Sequence, residues 1–235
     1  MTSNIGPSFD PARIDAIRAS LDKTSTSRAK TPPSKTPTEP GRKPLWITAL
    51  TLIVSFTLLL YAIEMLDTVL NHRLDGAGVE PREADGLWGI LFAPLLHYGW
   101  GHLLANTVPM LVLGFLSLMA GIARGIAATA IVWVVGGFGT WLTGSSGSVH
   151  IGASVLIFGW LTFLIVRGVF NRSAVQILIG LVVLAVYGGL LWGVLPSDPR
   201  VSWQGHLFGA IGGLIAAWML SSSRRSDRRK PAVAV

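Results

Sequence analysis

Three separated stretches carry side chains able to do nucleophilic and acid–base chemistry. Ser154 stands in Gly152-Ala153-Ser154, where the polar run 145–150 gives way to apolar Val155–Leu161. His206 follows Gly205 at the start of a later apolar run, and His102 and Asn106 open an earlier one. A serine hydroxyl is a weak nucleophile until a neighbouring base takes its proton, and an imidazole is suited to take and return a proton near neutral pH. A triad would add a carboxylate to orient that imidazole. None lies in the apolar runs near His206: Asp198 is in a loop, and Glu64 and Asp67 close the first run. These residues therefore point to a Ser154–His206 dyad. His102 and Asn106 are four apart and share one helical face. Turned toward Ser154, they would offer N–H donors to a tetrahedral oxyanion. The Ser154 backbone N–H, at a helix N-terminus, would add another.

Blander readings stand beside these. A lone serine in an apolar helix is usually a packing residue bonded to its own backbone. His72, His97 and His150 read as interfacial, with His97 also suited to a structural hydrogen bond beneath a loop. Metal binding by His97, His102 and His206 is disfavoured, because no carboxylate or cysteine joins them. No metal and no cofactor is expected. Gly205, Gly209 and Gly213 recur at intervals of four and form a small-residue face that lets helices approach closely. Such approach would also bring Ser154 within reach of His206.

The elements that must position these groups read as membrane spans. Of 235 residues, 51% are apolar and 13% charged, against roughly 25% charged in an ordinary soluble domain. There is no cysteine, hence no disulfide or thiolate site. Residues 1–44 are polar, so a cleaved signal peptide is not expected there. Within them Asp10-Pro11 resembles a helix start, with Ile14, Ile17 and Leu21 on one face of a short amphipathic helix. Thr24–Pro44, with five prolines among Ser, Thr and Lys, reads as a disordered linker. Six apolar stretches follow: Leu45–Leu66, His102–Gly121, Ile126–Leu142, Gly152–Val169, Ala174–Leu195 and Ser202–Ser221, the third being short. The expected organisation is a polar N-terminal segment 1–44, a membrane domain 45–221 and a basic tail 222–235. The fold class is an all-α membrane protein with a six-helix bundle.

Charge gives the orientation. With the N-terminus cytoplasmic, sixteen of the nineteen Lys and Arg residues fall on the cytoplasmic side, and Arg73, Arg82 and Arg200 on the other. That asymmetry puts both termini in the cytoplasm and the long loop 67–101 outside. It also makes nucleic acid an unneeded explanation of the net charge of +7. Spans two, four and six then begin at the outer face, at one depth with Asn106, Ser154 and His206. Ionisable groups there are rare enough to count as a functional hypothesis.

The segment Ala93-Pro94-Leu95-Leu96-His97-Tyr98-Gly99-Trp100-Gly101-His102-Leu103-Leu104-Ala105-Asn106 resembles the His-x-x-x-Asn region of the rhomboid family of intramembrane serine proteases. Gly152-Ala153-Ser154 resembles the start of that family's Gly-x-Ser-Gly, and Gly205-His206-Leu207-Phe208-Gly209 with Gly213 resembles its histidine helix. The resemblance implies Ser154 as nucleophile, His206 as base, and His102 with Asn106 as oxyanion stabilisers. It implies hydrolysis of a peptide bond in or beside a substrate's transmembrane helix, by a multi-pass protein of a bacterial cell membrane. Part of loop 67–101 is then expected to dip into the outer leaflet. Two positions depart from the pattern. Val155 replaces the second glycine and adds bulk beside the nucleophile, and Gly89 follows Trp88 where a Trp-Arg pair is usual, which removes a loop anchor. The alternative reading is a weak or inactive relative that binds transmembrane helices. A small transporter is disfavoured, since no intramembrane acid–base chain or inverted repeat is present. No residue pattern fixes an oligomeric state.

Overall fold

The computed structural model describes residues 11–26, 43–197 and 201–221, with side chains in the first stretch given for 12–20. Asp10, residues 27–42, Asp198, Arg200 and the tail 222–235 lie outside the described residues, as do the expectations placed on them. The chain divides into two units, Met1–Arg42 and Lys43–Val235. In the first, α1 (Pro11–Thr26) exposes Ile14 and Ile17. It runs two residues past Thr24, where the linker was expected to begin.

The second unit is helical: α2 (Leu45–Val69), a short α3 (Gly89–Phe92), α4 (Trp100–Met119), α5 (Ile122–Thr143), α6 (Ser154–Asn171), α7 (Ala174–Tyr187) and α8 (Trp203–Met219). Among the described residues there is no strand, only one antiparallel bridge, Val79 with His150. Among the described residues five segments are long and apolar enough to cross a membrane: α2, α4, α5, α6, and α7 together with its extension to Val194. α8 has 17 residues, about 25 Å of helix.

Several expected boundaries move for local reasons. The third stretch is not short. Gly121 at φ 114° lets the chain reverse between Met119 and Ile122, so α5 has 22 residues. Gly152 at φ 127° cannot be helical, so α6 begins at Ser154 itself. α2 continues to Val69, three residues beyond the expected Leu66. The fifth stretch is not one α-helix: at Gly188-Gly189, where helix propensity is low, it becomes a 3-10 segment, Gly188–Val194.

α6 lies at the centre, with ten of its residues buried, and packs against α4, α5, α7 and α8. α8 is wedged between α5 and α6 by absent side chains. A Cβ at Gly209 would fall on the Val155 carbonyl, one at Gly213 on the Gly159 carbonyl, and one at Gly212 against the Val132 backbone. Thr162 Oγ1 donates across this contact to the Ala210 carbonyl at 2.9 Å. α2 packs on α4 by a different device, side chains meeting a small residue. Ile53 fills the space over Gly114, and Tyr61 and Thr107 hydroxyls pair at 3.0 Å.

Candidate active site

The start of α6 is held by two backbone hydrogen bonds. Gly152 N–H donates to the Ala93 carbonyl at 2.8 Å, and Ala153 N–H to His97 Nε2 at 3.3 Å. His97 is 1% exposed, and burial lowers its pKa to about 3, so it is a neutral acceptor. Gly152 is required twice, by its positive φ and by space. A Cβ there would sit 2.7 Å from His102 Cε1 and 3.6 Å from Ser154 Oγ, so the His102 ring and the serine hydroxyl border the same space beside Gly152.

α8 brings the base. His206 Nε2 lies 2.9 Å from Ser154 Oγ, and His206 Nδ1 lies 2.9 Å from the Gly193 carbonyl. A carbonyl only accepts, so Nδ1 carries the proton and the lone pair of Nε2 faces the serine O–H. The ring stacks on Phe158, centroids 4.0 Å apart and planes at 10°. Neither Gly193 nor Phe158 was among the sequence-derived site residues. Phe158 was visible as an i+4 neighbour of Ser154 on one helix face; a backbone carbonyl leaves no signature in residue type.

His150 is not an interfacial bystander. Ser148 Oγ gives its proton to the Ser145 carbonyl at 2.6 Å, so His150 Nε2–H donates to Ser148 Oγ at 2.9 Å. His150 Nδ1 then accepts from Ser202 Oγ at 2.8 Å, and Ser202 Oγ caps α8 by accepting the Gly205 N–H at 3.3 Å. Burial lowers the His150 pKa and favours this neutral form. One imidazole thus ties the loop before Ser154 to the helix of His206.

A cavity of about 1300 Å³ is bordered by His102, Asn106, Ser154, Phe158, Gly193 and His206, among others. Asn106 is 7% exposed and its Nδ2 has no hydrogen-bond partner. Val155 does not border this cavity. Its side chain lies against α5 where a Gly136 Cβ would be. The loop also keeps an anchor that Gly89 was expected to cost it. Arg82, read from sequence as one outside charge, donates to the Gly144 carbonyl at 2.8 Å and to Ser146 Oγ at 2.6 Å. Trp133 Nε1 holds the Ile90 carbonyl at 2.7 Å, and Gly89 itself lets the chain lie directly on the Gly78 carbonyl.

This arrangement can pass a proton from a serine to a histidine beside unpaired donors, within a space large enough for an extended peptide. The family model of the Rhomboid domain matches residues 84–223. An uncharacterized protein of Mycobacterium tuberculosis (strain H37Rv) is 53% identical over 195 residues, covering 80% of this chain and 81% of that protein. One of Mycobacterium leprae is 50% identical over 198 residues, covering 81% and 78%. A Bacillus subtilis (strain 168) protein named "Putative rhomboid protease YdcA" is 28% identical over 180 residues, covering 71% and 87%. No solved structure matches the chain. With its membrane-spanning helices and the matched domain, the chain belongs to the rhomboid family.

Proposed function

We propose that the protein is an intramembrane serine endopeptidase that cleaves membrane-anchored proteins in or beside a transmembrane helix. The observation that carries this reading is the 2.9 Å contact of Ser154 Oγ with His206 Nε2, with the Nδ1 proton fixed by Gly193. As Ser154 Oγ attacks the scissile carbonyl carbon, its proton passes to His206 Nε2. The resulting imidazolium returns that proton to the leaving amine. Water then repeats the sequence on the acyl-enzyme, and Ser154 is regenerated. The Gly193 carbonyl does the orienting that a carboxylate does in a triad.

The oxyanion is stabilised by His102, by Asn106 Nδ2 and by the Ser154 backbone N–H, which at the first position of α6 lacks a helical acceptor. The unpartnered Asn106 donor supports this role: leaving a buried N–H unpaired is costly, and a transition-state oxyanion would satisfy it. Gly205, Gly209 and Gly213 serve the close α6–α8 approach, and His97 shapes the turn into Ser154. The helix-binding, inactive reading rested on Val155, whose side chain points at Gly136 and leaves the cavity clear.

In this reading α2 and α4–α8 make six spans forming a membrane domain over 45–221, with both termini cytoplasmic and the cavity opening to the outer face. Reporter fusions after residue 85 should then report the outer side and tail fusions the cytoplasm. A cytoplasmic signal at residue 85 would separate the site from its water. Cleavage of a transmembrane test substrate in proteoliposomes should be seen with the wild type and lost in Ser154→Ala.

A further inference from the structure

The acids at the end of α2 have no part in the reaction above. The buried stripe of α2 passes through Ala49, Ile53, Thr57 and Leu60 and then continues as Glu64 and Asp67, 1% and 2% exposed. Buried carboxylates without partners are costly. A helix C-terminus makes them worse, because its carbonyl dipoles already concentrate negative charge. No basic residue sits in the last turn.

The chain then turns back through Asn71 and His72, both left-handed at φ 55° and 60°. That reversal brings His72 and Asp75 onto Asp67. His72 Nδ1 is 3.2 Å from Asp67 Oδ2 and 3.9 Å from Asp75 Oδ2. One ligand atom from each of the three lies within 4.8 Å of the other two. Glu64, a turn earlier on α2, feels the charges of the same three side chains, and its Oε1 is buried without a hydrogen-bond partner. Asp75 Oδ1 is also buried and unpartnered. Among the described residues no Lys or Arg pairs with these acids.

A simple helix-terminal turn explains part of this. Asp67 Oδ1 accepts the Leu74 N–H at 2.7 Å, and Oδ2 takes His72 Nδ1–H. It does not explain why Asp75 is drawn there with a bare oxygen, or why Glu64, a turn away, is buried with another. Ligands about 2.1 Å from one ion stand roughly 3.0–3.4 Å apart in octahedral or tetrahedral geometry; here two pairs stand at 3.2 and 3.9 Å and the third within 4.8 Å, so an inward shift of Asp75 would complete the set.

We propose that Asp67, His72 and Asp75 form a site for a divalent cation of the Zn2+ or Mn2+ type, with the buried Glu64 a turn away on α2 adding negative charge beside it. An imidazole among carboxylates favours these ions over Ca2+ and Mg2+, which take oxygen sets. The sequence reading weighed only His97, His102 and His206 as ligands, and this cluster lies outside the family motifs. Leu74 and Ile63 of α2 both pack on the cluster that holds Val79 and Ile151, and Val79 exchanges both backbone hydrogen bonds with His150. A bound ion therefore tethers to α2 the segment that pairs with the approach to Ser154.

The test uses the full chain in detergent, purified through a tag without histidines and stripped with EDTA, then titrated calorimetrically with Zn2+, Mn2+ and Ca2+. One equivalent of Zn2+ or Mn2+ is expected. Binding should weaken about tenfold or more in His72→Gln and in Asp75→Asn and persist in His206→Ala, which separates this cluster from the reactive histidine. Zn2+ should also raise the unfolding temperature of the wild type and not of Asp75→Asn. No binding by folded wild type up to about 1 mM, or equal binding by both cluster variants, would overturn the site. Ca2+ binding as tight as Zn2+ would overturn the choice of cation.

Discussion

α7 and α8 are consecutive apolar helices with opposite fates. α7 is the more apolar, yet among its 14 residues only Gly180 and Val183 are buried; α8 buries eight of its 17. α7 leans on α6, where its Gly180 lies against the Ile165 carbonyl, and presents Val175, Leu178, Leu181 and Val186 outward. α8 carries glycines on successive turns and sits between two other helices. Lipid is as apolar as leucine, so hydrophobicity does not sort helices into centre and rim within a bilayer. Close packing does, and small residues permit it. His206, the proposed base, is on the helix that has them.

The largest effect is expected from filling the α6–α8 contact. Gly213→Leu places a side chain on the Gly159 carbonyl and Thr162. It should move His206 off Ser154 and abolish cleavage, with about 3 kcal/mol or more lost in stability. Thermal unfolding and substrate cleavage measured together would check both effects. Cleavage at wild-type rate would mean that helix approach does not set the dyad.

Next in size is the proposed oxyanion pair. His102→Ala and Asn106→Ala should each lower kcat by roughly 10²–10³ while changing KM much less. A rise in KM at unchanged kcat would instead assign them to ground-state substrate binding.

Val155 sharpens the same contrast from the other side of α6. Its side chain fills the space that Gly136 leaves. Val155→Gly should therefore cost about 2 kcal/mol, from the cavity and the added backbone freedom, with little gain in rate. A tenfold or larger rise in turnover would show the valine restraining the site. The smallest effect is expected on α7, where Leu178 is 62% exposed. Leu178→Ala should stay within about 0.5 kcal/mol of the wild type and leave cleavage unchanged.

These differences also mark what could be read from the residues. The Ser154, His206, His102 and Asn106 positions were legible because reactive residue types are conspicuous in apolar runs. The Gly205, Gly209 and Gly213 spacing already implied a close helix contact. The Gly193 carbonyl was not legible, since it depends on a helix changing to 3-10 geometry at Gly188-Gly189 and laying its backbone over His206. Nor was the partnership of Val155 with Gly136. A departure from a local motif was visible, but its compensation is on another helix, nineteen positions earlier in the chain. His150 was misjudged for a similar reason: its second partner, Ser202, is far away in sequence and reaches it only through folding.

The central claim is that the Ser154–His206 contact makes an activated nucleophile. A fluorophosphonate probe on detergent-purified protein tests it without any choice of substrate. Covalent labelling is expected of the wild type at Ser154, none of Ser154→Ala, and labelling reduced by about 10³ or more of His206→Ala. Folded wild type that stays unlabelled, or Ser154→Ala labelled as strongly as the wild type, would contradict it.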